Sequence, residues 1–194
     1  MINAQETKQT VSKSRSITAV ALMTAVICIV SPFTLPIGPV PIGFANFIIM
    51  LAALLLGAKK GFLSCLIFLL LGFAGLPVFS SFSGGVGVLL GPTGGYIIGY
   101  LFLALATGIS SQISDSQNSK LRVAVILFFG MLIGTAILYA FGTVWFTHQS
   151  GMSFTAALSV AVFPFIPGDL IKIVLVLTLG RNIKTRLQGA GLLD

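Results

Sequence analysis

The stretch FIIMLAALLLGAKKGFLSCLIFLLLGF, residues 47–73, sets two apolar runs on either side of a lysine pair, Lys59 and Lys60. Charge is costly in hydrocarbon, and lysine and arginine collect at the cytoplasmic face of a bilayer. The pair therefore reads as an interface, with one membrane span ending before it and another starting after it. Both spans are short beside the roughly 20 apolar residues a helical crossing requires.

The same pattern repeats on both sides of this stretch. The basic residues fall into four clusters: Lys8, Lys13 and Arg15; Lys59 and Lys60; Lys120 and Arg122; and Arg181, Lys184 and Arg186, with Lys172 standing apart. Apolar segments near 16–33, 41–57, 61–76, 91–110, 121–146 and 154–180 fill the intervals, while the loops near 34–40, 77–90 and 147–153 carry no Lys or Arg. With a cytoplasmic N-terminus every cluster falls inside. The expected fold is an all-α polytopic membrane protein of six transmembrane helices with both termini cytoplasmic. It forms a single integral membrane domain over 1–194, with a polar, frayed segment at 1–15 and a cytoplasmic tail at 181–194.

Composition agrees. Of 194 residues 56% are hydrophobic and 8% charged, with mean hydropathy +1.08, whereas soluble domains carry about 25% charged residues. That excludes an ordinary soluble domain. The net charge of +7 follows membrane topology instead of forming a phosphate-binding stripe, so the expected partner is the lipid bilayer and not nucleic acid. The N-terminal segment resembles the charged start of a signal peptide, but no cleavage site follows the long apolar run, and the first helix reads as retained. Cys28 and Cys65 lie inside spans and read as packing residues, not as a disulfide.

Chemistry concentrates in FPFIPGDLIKIVLVLTLG, residues 163–180. Asp169 and Lys172 are three apart, so a helix carries them on one face. Asp169 lies 12 residues before Arg181, about 18 Å along a helix, which puts it in the outer half of the membrane. Charge at that depth fits either a structural ion pair or a ligand or ion site. Pro164, Pro167 and Gly168 favour the second, because they interrupt the helix just before the pair, and broken backbone at membrane depth survives only against protein or a polar cavity. Asn46, 13 residues before Lys59, comes to the same depth; it fits a helix–helix hydrogen bond or a second wall of the pocket. Tyr139 and Tyr96 belong to the same outer half.

The stretch GLPVFSSFSGGVGVLLGPTGGY, residues 75–96, joins spans three and four and contains seven glycines and four Ser or Thr. Glycines let backbone amides approach a ligand, and Gly94 and Gly95 at a helix start suit an anion. No Lys-Ser or Lys-Thr follows a glycine at Walker A spacing, so the chain has no visible means of hydrolysing ATP. The one histidine, His148, falls in an outer loop without a nucleophile or a metal-ligand set around it. No enzyme, metal site or cofactor is expected.

The pairing of GGVGVLLGPTGGY with FPFIPGDLIKIVLV resembles the BioY family, the biotin-specific substrate-binding (S) components of energy-coupling-factor (ECF) transporters in bacteria, over essentially the whole chain. The resemblance implies an ECF S-component type fold in the bacterial cell membrane. It implies high-affinity capture of biotin from outside, and energy from a transmembrane coupling protein and two cytoplasmic ATPases. It also implies docking of that partner on an alanine-x-x-x-alanine pattern, matched here by Ala21 and Ala25; physically, small residues four apart let another helix pack closely.

Biotin's ureido ring carries two N–H donors and one carbonyl acceptor. A carboxylate accepts from the first and an ammonium or amide donates to the second, so Asp169, Lys172 and Asn46 form a matching set, with Phe44 and Tyr139 packing on the apolar parts. Lys172 fits either the ureido carbonyl or the valerate carboxylate; its nearness to Asp169 favours the ureido group. The carboxylate then faces the glycine-rich loop, with Gly87, Gly91 and Thr93 as donors and Tyr96 close by. Two other readings stand beside this one. In the first the chain is a stand-alone proton- or ion-coupled carrier of a small solute with Asp169 as relay. In the second it is a scaffold whose ion pair fixes helix register.

Overall fold

Gly57 turns the chain back on itself. The computed structural model describes residues 4–35 and 42–190, with side chains at 14–34 and 43–190; residues 36–41 of the first expected outer loop, 191–194 of the tail, and 1–3 lie outside the described residues. Helix α1 spans Ala4–Val30. Strands β1 (Thr34–Leu35) and β2 (Ile42–Gly43) pair antiparallel and lead into α2, Ala45–Phe73, in which Gly57 has φ 77° and ψ −179°. In a straight helix Ala53 and Gly61 would lie about 12 Å apart. Here a Cβ on Gly61 would sit 2.6 Å from the Cα of Ala53. The two arms of α2, before and after Gly57, thus double back as a helical hairpin, which glycine permits at both positions: a positive φ at one, close approach at the other. These arms are the two short spans read from the sequence around Lys59.

The remaining elements come in order along the chain. A 3₁₀ turn at Ser80–Phe82 and a short helix α3 (Val86–Leu89) precede α4 (Gly94–Asp115) and α5 (Lys120–Ser150). Helix α6 (Phe154–Ala161) is bent by 49° from the helical segment Ile166–Gly189. That segment comprises α7 (Ile166–Leu175), a π-helical turn at Val176–Gly180, and α8 (Arg181–Gly189). Counting the arms of α2 separately and α6–α8 as one broken span gives the six expected crossings. Pro167 sits in the first turn of α7, where the missing N–H costs nothing. The break expected from Pro164 and Pro167 is therefore present, at residues 162–165. Boundaries differ at two helices. Helix α5 runs on to Ser150, so His148, expected in an outer loop, stands in its last turn. The polar start, expected to fray, continues α1 back to Ala4, because AQETKQTVSKSRS contains neither glycine nor proline to stop a helix.

Packing separates a protein face from a lipid face on each helix. The buried residues of α5 include Leu127, Met131, Gly134, Leu138, Gly142 and Phe146, a spacing of three and four that marks one stripe. Phe129, Ile133 and Val144 on its other side are exposed, as a bilayer-facing surface requires. Hydrogen bonds cross between helices: Thr24 Oγ1 to the Ser64 carbonyl at 3.3 Å, and Ser111 Oγ to the Leu54 carbonyl at 2.7 Å.

The described basic residues other than Lys172 gather at the end where Gly57 turns. There Lys184 Nζ donates to both carboxylate oxygens of Asp115, at 2.6 and 2.7 Å, and to Ser111 Oγ at 2.8 Å. Arg181 reaches the Lys120 carbonyl at 3.2 Å. The opposite end carries the β1–β2 ribbon and the glycine-rich connection, closed by the Ser81 amide on the Pro32 carbonyl at 3.0 Å and by Phe79 packed edge-on against Phe68.

Candidate functional site

Asp169 stands in the first turn of α7, where the helix dipole favours a negative charge. One helical turn on, Lys172 Nζ lies 2.8 Å from Asp169 Oδ1. Both are buried, as is Asn46 in the first turn of α2. Asn46 Nδ2 donates to Asp169 Oδ1 at 2.8 Å, and Tyr139 OH on α5 donates to Asp169 Oδ2 at 2.5 Å. The carboxylate thus accepts three hydrogen bonds of the roughly four its lone pairs allow.

Lys172 is fully engaged. Its three protons go to Asp169 Oδ1, to Asn46 Oδ1 at 3.0 Å and to the Gly43 carbonyl at 2.8 Å. Asn46 Oδ1 also receives the Phe47 amide at 3.0 Å. Removing two charges from water costs several kcal/mol per ion, and the compensation here is complete hydrogen bonding drawn from α2, α5, α7 and the end of β2. A buried polar cluster of this kind holds its members in one geometry only while every member is paired.

The network forms one wall of a cavity at the end of the molecule away from the basic residues. Thr93, Tyr96 and Tyr100 of the α4 start, Ser80 of the connection, and the apolar Ile97, Leu138, Ala161 and Phe165 complete the lining. Tyr96 OH donates to the Ala161 carbonyl at 3.0 Å, tying α4 to the last residue of α6. A cluster of hydrogen-bonding groups at one end and apolar side chains around it suits a ligand that is partly polar and partly hydrophobic.

Of the residues singled out in the sequence, Asp169, Lys172, Asn46, Tyr139, Thr93 and Tyr96 line this cavity. Phe44 does not: it is 44% exposed, two residues before Asn46 and so about 200° around the helix from it. Gly87 and Gly91 also lie outside the lining. The Gly91 carbonyl is engaged from behind by Trp145 Nε1 at 2.8 Å. Ala21 and Ala25 are exposed on α1, beside a groove shared with Leu63 and Ile67 of the second arm of α2. Sequence reasoning missed Tyr100, although it lies four residues after Tyr96 and therefore on the same helical face. The Gly43 carbonyl, Ser80 and Phe165 had no signal of that kind.

Fold and site together define a helical membrane protein with a partly polar, partly apolar cavity near one end. Residues 4–189 match the family model described as the BioY family, and the chain belongs to that family. It is 35% identical over 175 residues to the biotin transporter BioY of Rhizobium etli, covering 88% of this chain and 93% of that protein. It is 37% identical over 160 residues to a probable biotin transporter BioY of Pyrococcus horikoshii, covering 82% and 90%. Among solved structures it resembles the S-component for biotin from an ECF-type ABC transporter, with TM-score 0.77, 36% identity and 95% of each chain covered. The fold is that of an ECF S component.

Proposed function

We propose that this chain binds biotin and serves its uptake as the S component of an ECF-type ABC transporter. The observation that carries the reading is the Asp169–Lys172–Asn46–Tyr139 network at the wall of the cavity, in a chain of this family. One ureido N–H of biotin donates to the remaining lone pair of Asp169, on Oδ2. The ureido carbonyl takes a proton of Lys172 in place of one of its present acceptors, so capture exchanges one hydrogen bond for another instead of leaving either ion unpaired. The bicycle and valeryl chain pack on Ile97, Leu138, Phe165 and the tyrosine rings. The carboxylate points toward Ser80 and Thr93.

The basic end faces the cytoplasm, both termini with it, and the cavity opens to the outside of a bacterial cell membrane; the clustering of Arg15, Lys59, Lys60, Lys120, Arg122, Arg181, Lys184 and Arg186 supports that orientation. Transport is energised by a transmembrane coupling protein and two ATPase subunits. The α1 groove at Ala21 and Ala25 receives the coupling protein, since small side chains there admit another helix closely. Isothermal titration of the detergent-purified chain tests the central claim. Biotin is expected to bind while riboflavin does not, and Asp169→Asn is expected to weaken binding by about a hundredfold, the cost of losing a charged hydrogen-bond partner. Well-folded protein that ignores biotin would overturn the reading.

A further inference from the structure

The glycines at the start of α4, which the sequence suggests for anion binding, have a different use. Gly94 and Gly95 are buried. A Cβ on Gly95 would run into the Cβ of Trp145 and the Phe141 carbonyl, and one on Gly94 would come within 3.1 Å of the Trp145 indole nitrogen. The missing side chains let the first turn of α4 lie directly on Trp145. The indole N–H then donates to the Gly91 carbonyl at 2.8 Å, an oxygen that also accepts the Gly94 amide at 3.1 Å. Both lone pairs of that carbonyl are used. Thr93 and Tyr96, in the segment held this way, face the cavity, while Trp145 itself does not line it. On the far side of the anchor the Gly85 amide donates to the Gly72 carbonyl at 2.7 Å, and Val86 and Leu90 are exposed.

We propose that Trp145 is a positioning residue of the binding site: its indole N–H, bonded to the Gly91 carbonyl, fixes the cavity wall formed by Thr93 and Tyr96 and so sets how long a bound ligand stays. The dwell-time part rests on the biotin reading above; the anchoring part does not. Trp145 is the only tryptophan in the chain, so growth of a tryptophan auxotroph on 3-benzothienylalanine replaces it alone. That analogue keeps the ring shape and puts sulfur where the N–H was, so packing is retained and the hydrogen bond is removed. Trp145→Phe is a second route to the same loss.

Two readouts on the full-length protein decide the matter. Amide hydrogen exchange of the ligand-free protein is expected to quicken over residues 85–96 while α2 and α7 are unchanged; unchanged exchange at 85–96 overturns the proposal whatever biotin does. Dissociation of biotin is expected to be about three- to tenfold faster, the range that one neutral hydrogen bond supplies. Faster exchange with an unaltered dissociation rate would make Trp145 a packing residue only and also overturn it. Failure of the unsubstituted protein to bind biotin would instead sink the functional reading, and the exchange result alone would then judge the anchor.

Discussion

Two aspartate–lysine pairs stand among the described residues, nearly equal in length and different in surroundings. Lys184 and Asp115, at the basic end, are 2.6 Å apart, with the lysine side chain 12% and the aspartate side chain 47% exposed. Lys172 and Asp169, at the cavity, are 2.8 Å apart, with side chains 11% and 7% exposed. Distance would rank the first pair stronger. Surroundings reverse the ranking of consequence: water reaches the Asp115 carboxylate and screens that pair toward the ~0–1 kcal/mol of exposed pairs, whereas removing one member of a buried pair strands the other and costs about 3–5 kcal/mol. What separates them is the number of third parties. Asn46, Tyr139 and the Gly43 carbonyl close around the cavity pair, while the basic-end pair adds Ser111 alone.

The contrast can be broken most severely at Lys172. Lys172→Met leaves the Asp169 carboxylate buried without a cation, and thermal unfolding in detergent is expected to report a loss of about 3–5 kcal/mol together with abolished biotin binding. Pairing it with Asp169→Leu sharpens the point. The double variant is expected to recover most of the stability, because apolar replacement of a buried pair is often neutral, yet still to bind no biotin. Recovery of binding in the double variant would show the ion pair to be a structural device alone.

Tyr139→Phe is the next smaller perturbation. It removes one hydrogen bond to a charged acceptor that is already made without ligand, so thermal unfolding should report a loss of about 1.5–3 kcal/mol, and titration should show biotin binding weakened about tenfold as the carboxylate loses its orientation. The smallest effect is expected at the other pair. Asp115→Asn should cost less than about 1 kcal/mol, and added salt should erase the difference from wild type, because exposed pairs are screened. A large, salt-independent loss there would end the distinction between the two regions.

Legibility in the sequence differs by residue. Asp169, Lys172 and Asn46 stand out because polar groups are costly at membrane depth, and depth follows from counting residues to the nearest basic cluster. The broken helix before Asp169 stands out because proline lacks an N–H. Phe44 lies outside the cavity lining and Tyr100 is overlooked, since nearness in sequence to Asn46 says nothing about which way a side chain turns where a loop becomes a helix. The Gly43 carbonyl could not be named, because every residue has a carbonyl and only the path of the chain brings one to Lys172.

Membrane class, the six crossings, the segregation of charge to one end and the depth of the polar residues are all set along the chain. They depend on transfer of side chains between water and hydrocarbon, a cost that accrues residue by residue and so is readable without coordinates. Folding in three dimensions decides that Gly57 reverses the chain within the first helical hairpin, that Lys172 uses all three protons within the protein, and that Gly94 and Gly95 serve the packing of Trp145. Each of those depends on which atoms meet across separate helices, and hydrogen bonds and close packing act over a few ångströms between partners that sequence distance does not bring together.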